Sequence, residues 1–378
     1  MLNDNIKKQV IEYRQKLHQI PEIGFQEFKT QAYIKKELTK MGYIVEEVAN
    51  TGIIAYKKGI KKGAIAFRAD MDALAIMEKT SLPFASQHPG YMHACGHDGH
   101  MSILLGLALY LSELDVIQDI VFIFQPAEEN LGGAKVIVEE GYIEKYQIQK
   151  IFGLHLLPEL SEGKIGLSCG ALMAQVGEFD IKIHAKSSHG AMPHKGIDGI
   201  FVASQLINSY QSIISRNLDP LTEAVVTIGK IYGGEARNII ASEVTLNGTI
   251  RAFNDEVYQT IKRRITEINK GLEKMYSVVI DTELRDMYPS LINDYELYLF
   301  MKENLDKNQI VEIKPMMIAE DFSYYLQKIP GYFFILGTKN EELGYTHPLH
   351  SCYFNFREEV LFTGIELYIK LCEKFHII

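Results

Sequence analysis

The sequence is poor in cysteine, in net positive charge and in long apolar runs, and each shortage excludes something. Its 378 residues include four cysteines, Cys95, Cys169, Cys352 and Cys372, spaced too widely to read as a disulfide framework. The opening MLNDNIKKQVIEYRQKL has no apolar segment of the secretory kind, so a reducing cytoplasm is the expected location. The longest apolar runs, such as SILLGLALYL, fall short of the roughly 20 residues that a membrane-spanning helix requires. A net charge of -9 argues against nucleic acid or an anionic membrane as the main partner, because both select for concentrated Lys and Arg. No unit repeats at a period of roughly 20 to 50 residues, and NLGGAK and YGGEAR lack the glycine spacing of a nucleotide-phosphate loop. A small-molecule partner is what these absences leave.

Apolar residues make up 47% and charged residues 23%, which is globular usage, and the length suits about two domains. NIKKQVIEYRQKLHQI and FKTQAYIKKELTKMG carry apolar residues at helical spacing, with Gly42 where a C-terminal cap falls. Three compact apolar runs follow, AIAFRAD, IVFIFQPAEE and IFGLHL, interleaved with the helical SILLGLALYL and GGAKVIVEEG. Short strands alternating with helices describe an α/β domain with a buried sheet, mixed but largely parallel. From Glu178 the pattern changes. EFDIKIHA, AVVTIGKI, SEVTLNGTIRAF and SVVIDTEL read as strands, and GIFVASQLINSYQSII and NDEVYQTIKRRITEINKGLEKMY as helices. Their order is β-α-β-β-α-β, the ferredoxin-like unit. On the second helix Val257, Ile261, Ile265, Ile268 and Leu272 keep one stripe, and Asn254 suits its N-cap. The expected division is a discontinuous metal-binding catalytic domain over residues 1–177 and 289–378, with an α+β lid domain inserted at 178–288.

Each apolar run of the first domain stops at a metal-ligand type of residue: Asp70, then Glu128 and Glu129, then His155. Ligands of open α/β sheets gather beyond the carboxyl ends of the strands, so these ends point to one place. MHACGHDGH, residues 92–100, adds three histidines, a cysteine and an aspartate. Cys95 and His97, two apart, cannot share a helix face. They need a loop, and a helix starting at Asp98 or Gly99 would put its positive end beside them, which favours a thiolate. Thiolate and neutral imidazole suit zinc, while imidazole also serves manganese, nickel and cobalt. If one of the adjacent Glu128 and Glu129 binds a cation, the other can accept a proton from water whose pKa the cation has brought towards about 7. A Cys95 nucleophile with His97 as its base would leave both glutamates unused and would need an orienting third group. His350, in HPLHSCYF, says by itself only that a late loop carries a histidine.

Taken in order, FRADMDAL, MHACGHDGHM, QPAEE, GLHLLPE, SSHGAMPH, GTIRAF and AEDFSYYL resemble the amidohydrolase branch of the co-catalytic metallopeptidase family. That branch holds hippurate hydrolases, plant auxin-conjugate hydrolases, bacterial aminoacylases and N-acetyldiaminopimelate deacetylases, and LHQIPEIGFQEFKTQA and NIIASEVTLNGTIR are most similar to the last. The resemblance implies two divalent metal ions held by Cys95, His97, Glu129, His155 and His350, with Glu128 as general base and Asp70 as a carboxylate that positions the site. Where related enzymes carry a histidine ligand two residues before that aspartate, this chain has Arg68. His189 matches a histidine of the inserted domain that stabilises the reacting carbonyl oxygen, although Ser187 and Ser188 stand where Gly-Gly is common. Asn238 and Arg251 match substrate-binding positions, where Arg can grip a carboxylate through two parallel hydrogen bonds. The implied reaction is hydrolysis of an N-acyl amino acid, with N-acetyl-diaminopimelate as the expected substrate. Broad aminoacylase or hippurate hydrolase activity, or a carboxypeptidase or dipeptidase using the same metals, is the alternative. The same resemblance implies a homodimer through the inserted domain.

Overall fold

A computed structural model describes residues 2–129 and 132–378. The chain divides into two compact units, Met1–Gly170 with Asn293–Lys314 and Tyr324–Ile378, and Ala171–Ile292 with Pro315–Ser323. The second unit extends past 178–288 at both ends because the short strands Ala171–Met173 and Leu291–Ile292 pair antiparallel where the chain enters and leaves it.

In the first unit the strands β1 (Ile44–Val48), β2 (Gly52–Lys57), β3 (Lys61–Asp70), β4 (Gln118–Gln125), β5 (Ile148–Ser161) and β6 (Ile165–Leu167) join Ile310–Glu312 and Gly331–Lys339 in one eight-stranded sheet. Its order is β1, β2, β4, β3, β5, Gly331–Lys339, β6, Ile310–Glu312. The centre is parallel: β3 runs alongside both β4 and β5, and β5 alongside Gly331–Lys339. β1, β2 and β4 pair antiparallel at one edge. Ile120 to Phe124 and Ala64 to Phe67 are buried without a break, as expected of strands covered on both faces.

Three helices, α1 (Asp4–His18), α2 (Phe28–Lys40) and α3 (His97–Ser112), matter for the site. The Asn3 side chain accepts from Ile6 N–H to cap α1, which buries Val10, Tyr13 and Leu17 and also Arg14 and His18. α2 ends where Gly42 takes a left-handed φ of +84°, as the C-terminal cap position demands. α3 buries residues around its whole circumference, the mark of a core helix. Gly106 lets it pass closely between neighbours, since a Cβ there would lie 2.7 Å from Val10 Cγ2 and against Ile365 on the helix Glu359–Lys374.

Three local expectations are corrected. α3 begins at His97, one residue before Asp98, because Gly96 can adopt φ +87° at the N-cap. Glu128 and Glu129 do not close a strand: β4 ends at Gln125, and the pair sits on the turn beyond it. Nor does His155 end β5. It lies inside the strand, two residues past Gly153, the last residue paired with β3, while still paired with Ile335.

The second unit holds the expected β-α-β-β-α-β order. Gln175–His184, Ala224–Gly233, Glu243–Ala252 and Val279–Asp286 form an antiparallel sheet with Val279–Asp286 and Ala224–Gly233 at its edges. The Asp198 and Asn254 side chains cap the helices Gly199–Ser212 and Asp255–Tyr276. Ile261, Ile265 and Leu272 of the second helix share a core with Phe179, Ile181 and Ile183 of the first strand.

Candidate metal centre

The parallel centre of the sheet brings the sequence-distant donors of the first unit together. Cys95 Sγ is 3.4 Å from His155 Nε2. Donor atoms of Cys95, His97 and His155 lie within 4.8 Å of one another, as do those of Cys95, Glu129 and His350, and those of His97, Glu128 and Glu129. Cys95, His97, Glu129, His155 and His350 therefore occupy one locality, with Glu128 beside them. Glu129 Oε1 stands 3.4 Å from His350 Nε2, near enough for an ion pair but outside hydrogen-bond geometry.

The histidines are oriented by what their other nitrogens touch. His97 Nδ1 is 2.9 Å from the Asp72 carbonyl, and His155 Nδ1 is 2.6 Å from the Leu156 carbonyl. A carbonyl only accepts, so both Nδ1 atoms carry the hydrogen and both Nε2 atoms are left for a ligand, the usual arrangement at metal sites. His97 Nε2 and Glu129 Oε1 are buried with no hydrogen-bond partner among the described residues, and such orphaned atoms call for an explanation. A cation between them supplies one. His350 reaches the cluster from a residue at φ +64°, its N–H donating to the Ala94 carbonyl at 2.9 Å, and its side chain remains 53% exposed.

Electrostatics agree with this donor set. Burial pushes the Cys95 thiol well above its ordinary value, and Glu129 and Glu128 push it further; only a cation would make it a thiolate. Burial also pulls His155 down to about 3, so its ring is neutral. Burial opposes a proton on His97, but Asp70, Asp72 and Glu129 outweigh it and raise the group to about 10. A cation would replace that proton, so metal uptake releases acid. Burial likewise opposes ionisation of Asp70, yet His97, His100 and Arg68 hold it well below the usual carboxylate range.

Asp70 is a support. Its carboxylate accepts from Arg68 at 2.7 Å and from His100 Nδ1 at 2.6 Å. Leu156 N–H donates to His100 Nε2 at 3.0 Å, so both of that ring's nitrogens are occupied. Arg68 also donates to Gln125 Oε1 at 2.8 Å, which fixes the ends of β3 and β4 to each other. In the second unit, His189 and Asn238 are brought together: His189 bridges to Ile239, and Gly190 N–H donates to the Asn238 carbonyl at 2.7 Å. Arg251 lies on Glu243–Ala252, half-buried, donating to the Ile250 carbonyl at 3.0 Å.

Sequence reasoning missed Asp72 and Glu27. The Asp72 carboxylate accepts the backbone N–H groups of Glu128 at 3.1 Å and Glu129 at 3.0 Å. Glu27 accepts from Ala127 N–H at 2.9 Å. Asp72 lies within FRADMDAL and Glu27 within LHQIPEIGFQEFKTQA, but nothing in either string says which backbone each would meet.

Beneath the MHACGHDGH loop lies a buried ionic cluster. His18 Nδ1 is 2.9 Å from Asp98 Oδ2, and its Nε2 is 3.2 Å from Glu78 Oε1. Burial works against a charge on His18, but Asp98 and Glu78 overcome it and raise the group to about 9. A raised histidine contributes stability that is complete below its unfolded value, about 6.5, and is lost as pH climbs through the folded value. We expect the free energy of unfolding to fall between pH 6.5 and pH 9.5 by an amount on the order of 3 kcal/mol, and His18→Gln to flatten that slope. Identical slopes in the two proteins would reject this role.

Comparison with known proteins completes the picture. Residues 66–374 match the model of peptidase family M20/M25/M40. N-acetyldiaminopimelate deacetylase of Listeria monocytogenes is 39% identical over 369 residues, covering 96% of this chain and 98% of that protein. N-acetyl-L-cysteine deacetylase of Bacillus subtilis is 41% identical, covering 91% of this chain and 83% of that one. A crystal structure described as a dinuclear metal binding peptidase of the M20 family from Bacillus subtilis superposes with a TM-score of 0.86 at 33% identity over all of both chains. With a family match over most of its length and relatives alike from end to end, the chain belongs to peptidase family M20/M25/M40.

Proposed function

We propose that the protein is a metal-dependent amidohydrolase that cleaves N-acyl amino acids, with N-acetyl-diaminopimelate, giving diaminopimelate and acetate for lysine biosynthesis, as its preferred substrate. The observation that carries the reaction class is the placing of Glu128 within 4.8 Å of donor atoms of both His97 and Glu129, a proton acceptor beside a set of metal donors. The similarity to N-acetyldiaminopimelate deacetylases supports the substrate. Cys95, His97, Glu129, His155 and His350 would hold two divalent cations, and their mixture of thiolate, imidazole and carboxylate suits zinc, manganese, cobalt or nickel. Bound cations polarise the amide carbonyl and lower the pKa of water.

The remaining work belongs to side chains. Glu128 takes a proton from the attacking water and returns it to the departing amine nitrogen. Asp70 braces the His97 side of the cluster, its Oδ2 being 3.8 Å from His97 Nε2. His189 stabilises the developing oxyanion, while Asn238 and Arg251 hold the substrate, as in the family the chain resembles. The cytoplasm is the proposed location, and among the described residues no helix is long and apolar enough to cross a membrane. A homodimer through the second unit is supported by exposed Ile200 and Phe201 and by exposed Ile231 and Tyr232 on the edge strand Ala224–Gly233.

A second reading, broad deacylation of N-acyl amino acids, draws on the likeness to N-acetyl-L-cysteine deacetylase. Chelated protein reconstituted with each ion and offered N-acetyl-diaminopimelate, N-acetyl-cysteine, N-acetyl-methionine, hippurate and a dipeptide separates these readings. We expect kcat/KM to favour the first by about tenfold or more, a margin that pocket contacts can supply. Equal rates on the acyl amino acids would establish the broad enzyme, and preference for the dipeptide would move the protein among the peptidases.

A further inference from the structure

We propose that Glu27 is a positioning residue that locks the turn carrying Glu128 and Glu129, and so sets both the general base and a metal donor. The turn departs from β4 after Gln125, and its three successive N–H groups, those of Ala127, Glu128 and Glu129, are all captured by carboxylates from elsewhere in the chain. Asp72 takes the last two and Glu27 the first. Ala127 sits at φ +55°, a left-handed conformation that a residue with a side chain keeps only when its surroundings impose it. The imposing groups are identifiable. Glu27 is 0% exposed and accepts from Ala127 N–H at 2.9 Å with one carboxylate oxygen and from the Thr51 hydroxyl with the other. Gly24 presses on the same residue, since a Cβ there would lie 2.9 Å from Ala127 Cα.

Helix capping does not account for Glu27. It stands at the N-cap of α2 but makes no side-chain cap hydrogen bond there. The helix end is capped instead by Glu22, whose carboxylate accepts from Lys29 N–H at 2.9 Å and Thr30 N–H at 3.0 Å. A fully buried carboxylate is costly, and beyond its own backbone the Glu27 carboxylate bonds to the Ala127 N–H of the turn and to Thr51. Groups that orient metal ligands in this way commonly change metal affinity or activity by about 10- to 100-fold when removed.

The inference rests on the amidohydrolase reading only for its kinetic arm. Full-length wild type, Glu27→Ala, Glu27→Gln and Thr51→Val are loaded with Co2+ and compared by visible absorption, Co2+ affinity, kcat and KM, after circular dichroism has shown each to be folded. Glu27→Ala is expected to alter the cobalt spectrum, weaken Co2+ binding and lower kcat by about 10- to 100-fold, with KM little changed. Glu27→Gln is expected to restore the wild-type spectrum and most of kcat, because its amide can accept from Ala127 N–H and donate to Thr51. Thr51→Val, which removes one tie and nearly preserves shape, is expected to fall between them, and it carries the test if Glu27→Ala does not fold. A wild-type spectrum and kcat in Glu27→Ala, a Gln variant as impaired as the Ala variant, or an unaffected Thr51→Val would overturn the assignment. Wild-type protein that takes up Co2+ yet cleaves no N-acyl amino acid would instead reject the hydrolase reading and leave the cobalt comparison standing.

Discussion

Glu128→Gln is expected to lower kcat by about 10² to 10⁴ while bound metal and KM stay near wild type. The substitution keeps the shape of the side chain and removes only its capacity to take and return a proton. It leaves the turn in place, because Asp72 grips this residue through the backbone N–H at 3.1 Å. Metal retention is expected on separate grounds, since Cys95, His97, His155, His350 and Glu129 form the donor groups without it. Turnover and metal content therefore come apart in this variant. Metal analysis beside steady-state kinetics reads both, and either full activity or a proportional loss of metal would remove Glu128 from the role of base.

Arg14→Ala is expected to destabilise the fold by about 3 to 5 kcal/mol, the usual penalty for removing one partner of a buried ion pair, with His18 left as the remaining partner of Asp98. Arg14 is 1% exposed, and its Nε lies 3.4 Å from Asp98 Oδ2. The other arms of the guanidinium donate to the Phe356 carbonyl at 2.8 Å and to Asn355 Oδ1 at 2.5 Å. Its Cζ lies over the Phe356 ring, 3.6 Å from the centroid. One side chain thus ties α1 to the start of α3 and to the segment ahead of the closing helix. Arg14→Lys should recover little of the loss, because an ammonium offers one point charge where a planar fork makes several fixed bonds. Urea unfolding measures both variants, and a change below about 1 kcal/mol in Arg14→Ala would show the pair to be dispensable.

Legibility varied by residue type. The ferredoxin-like unit was readable because its strands alternate and its helix stripes repeat, both of which are local patterns. Cys95 and His97 were readable as a loop pair, and Glu128 and Glu129 as an acidic pair after an apolar strand. His155 was placed near the site for an imprecise reason: it does not end its strand, and it is exposed to the cluster because β3 stops pairing with β5 at Gly153. Glu27 and Asp72 were invisible as site residues, since each acts on backbone about 100 and 56 positions away, a distance that no periodicity encodes.

Side-chain chemistry and local spacing are written along the chain, and they suffice for the element types, the change of character at Glu178 and the inventory of possible metal donors. Strand order is not written there. Only the parallel packing of β3 against β4 and β5 decides that Asp70 stands opposite Gln125 and that His100 bonds to Asp70 beside His155. The physical reason is that a donor's identity belongs to one residue, whereas its distance to another donor and its desolvation are properties of the folded surroundings shared by many.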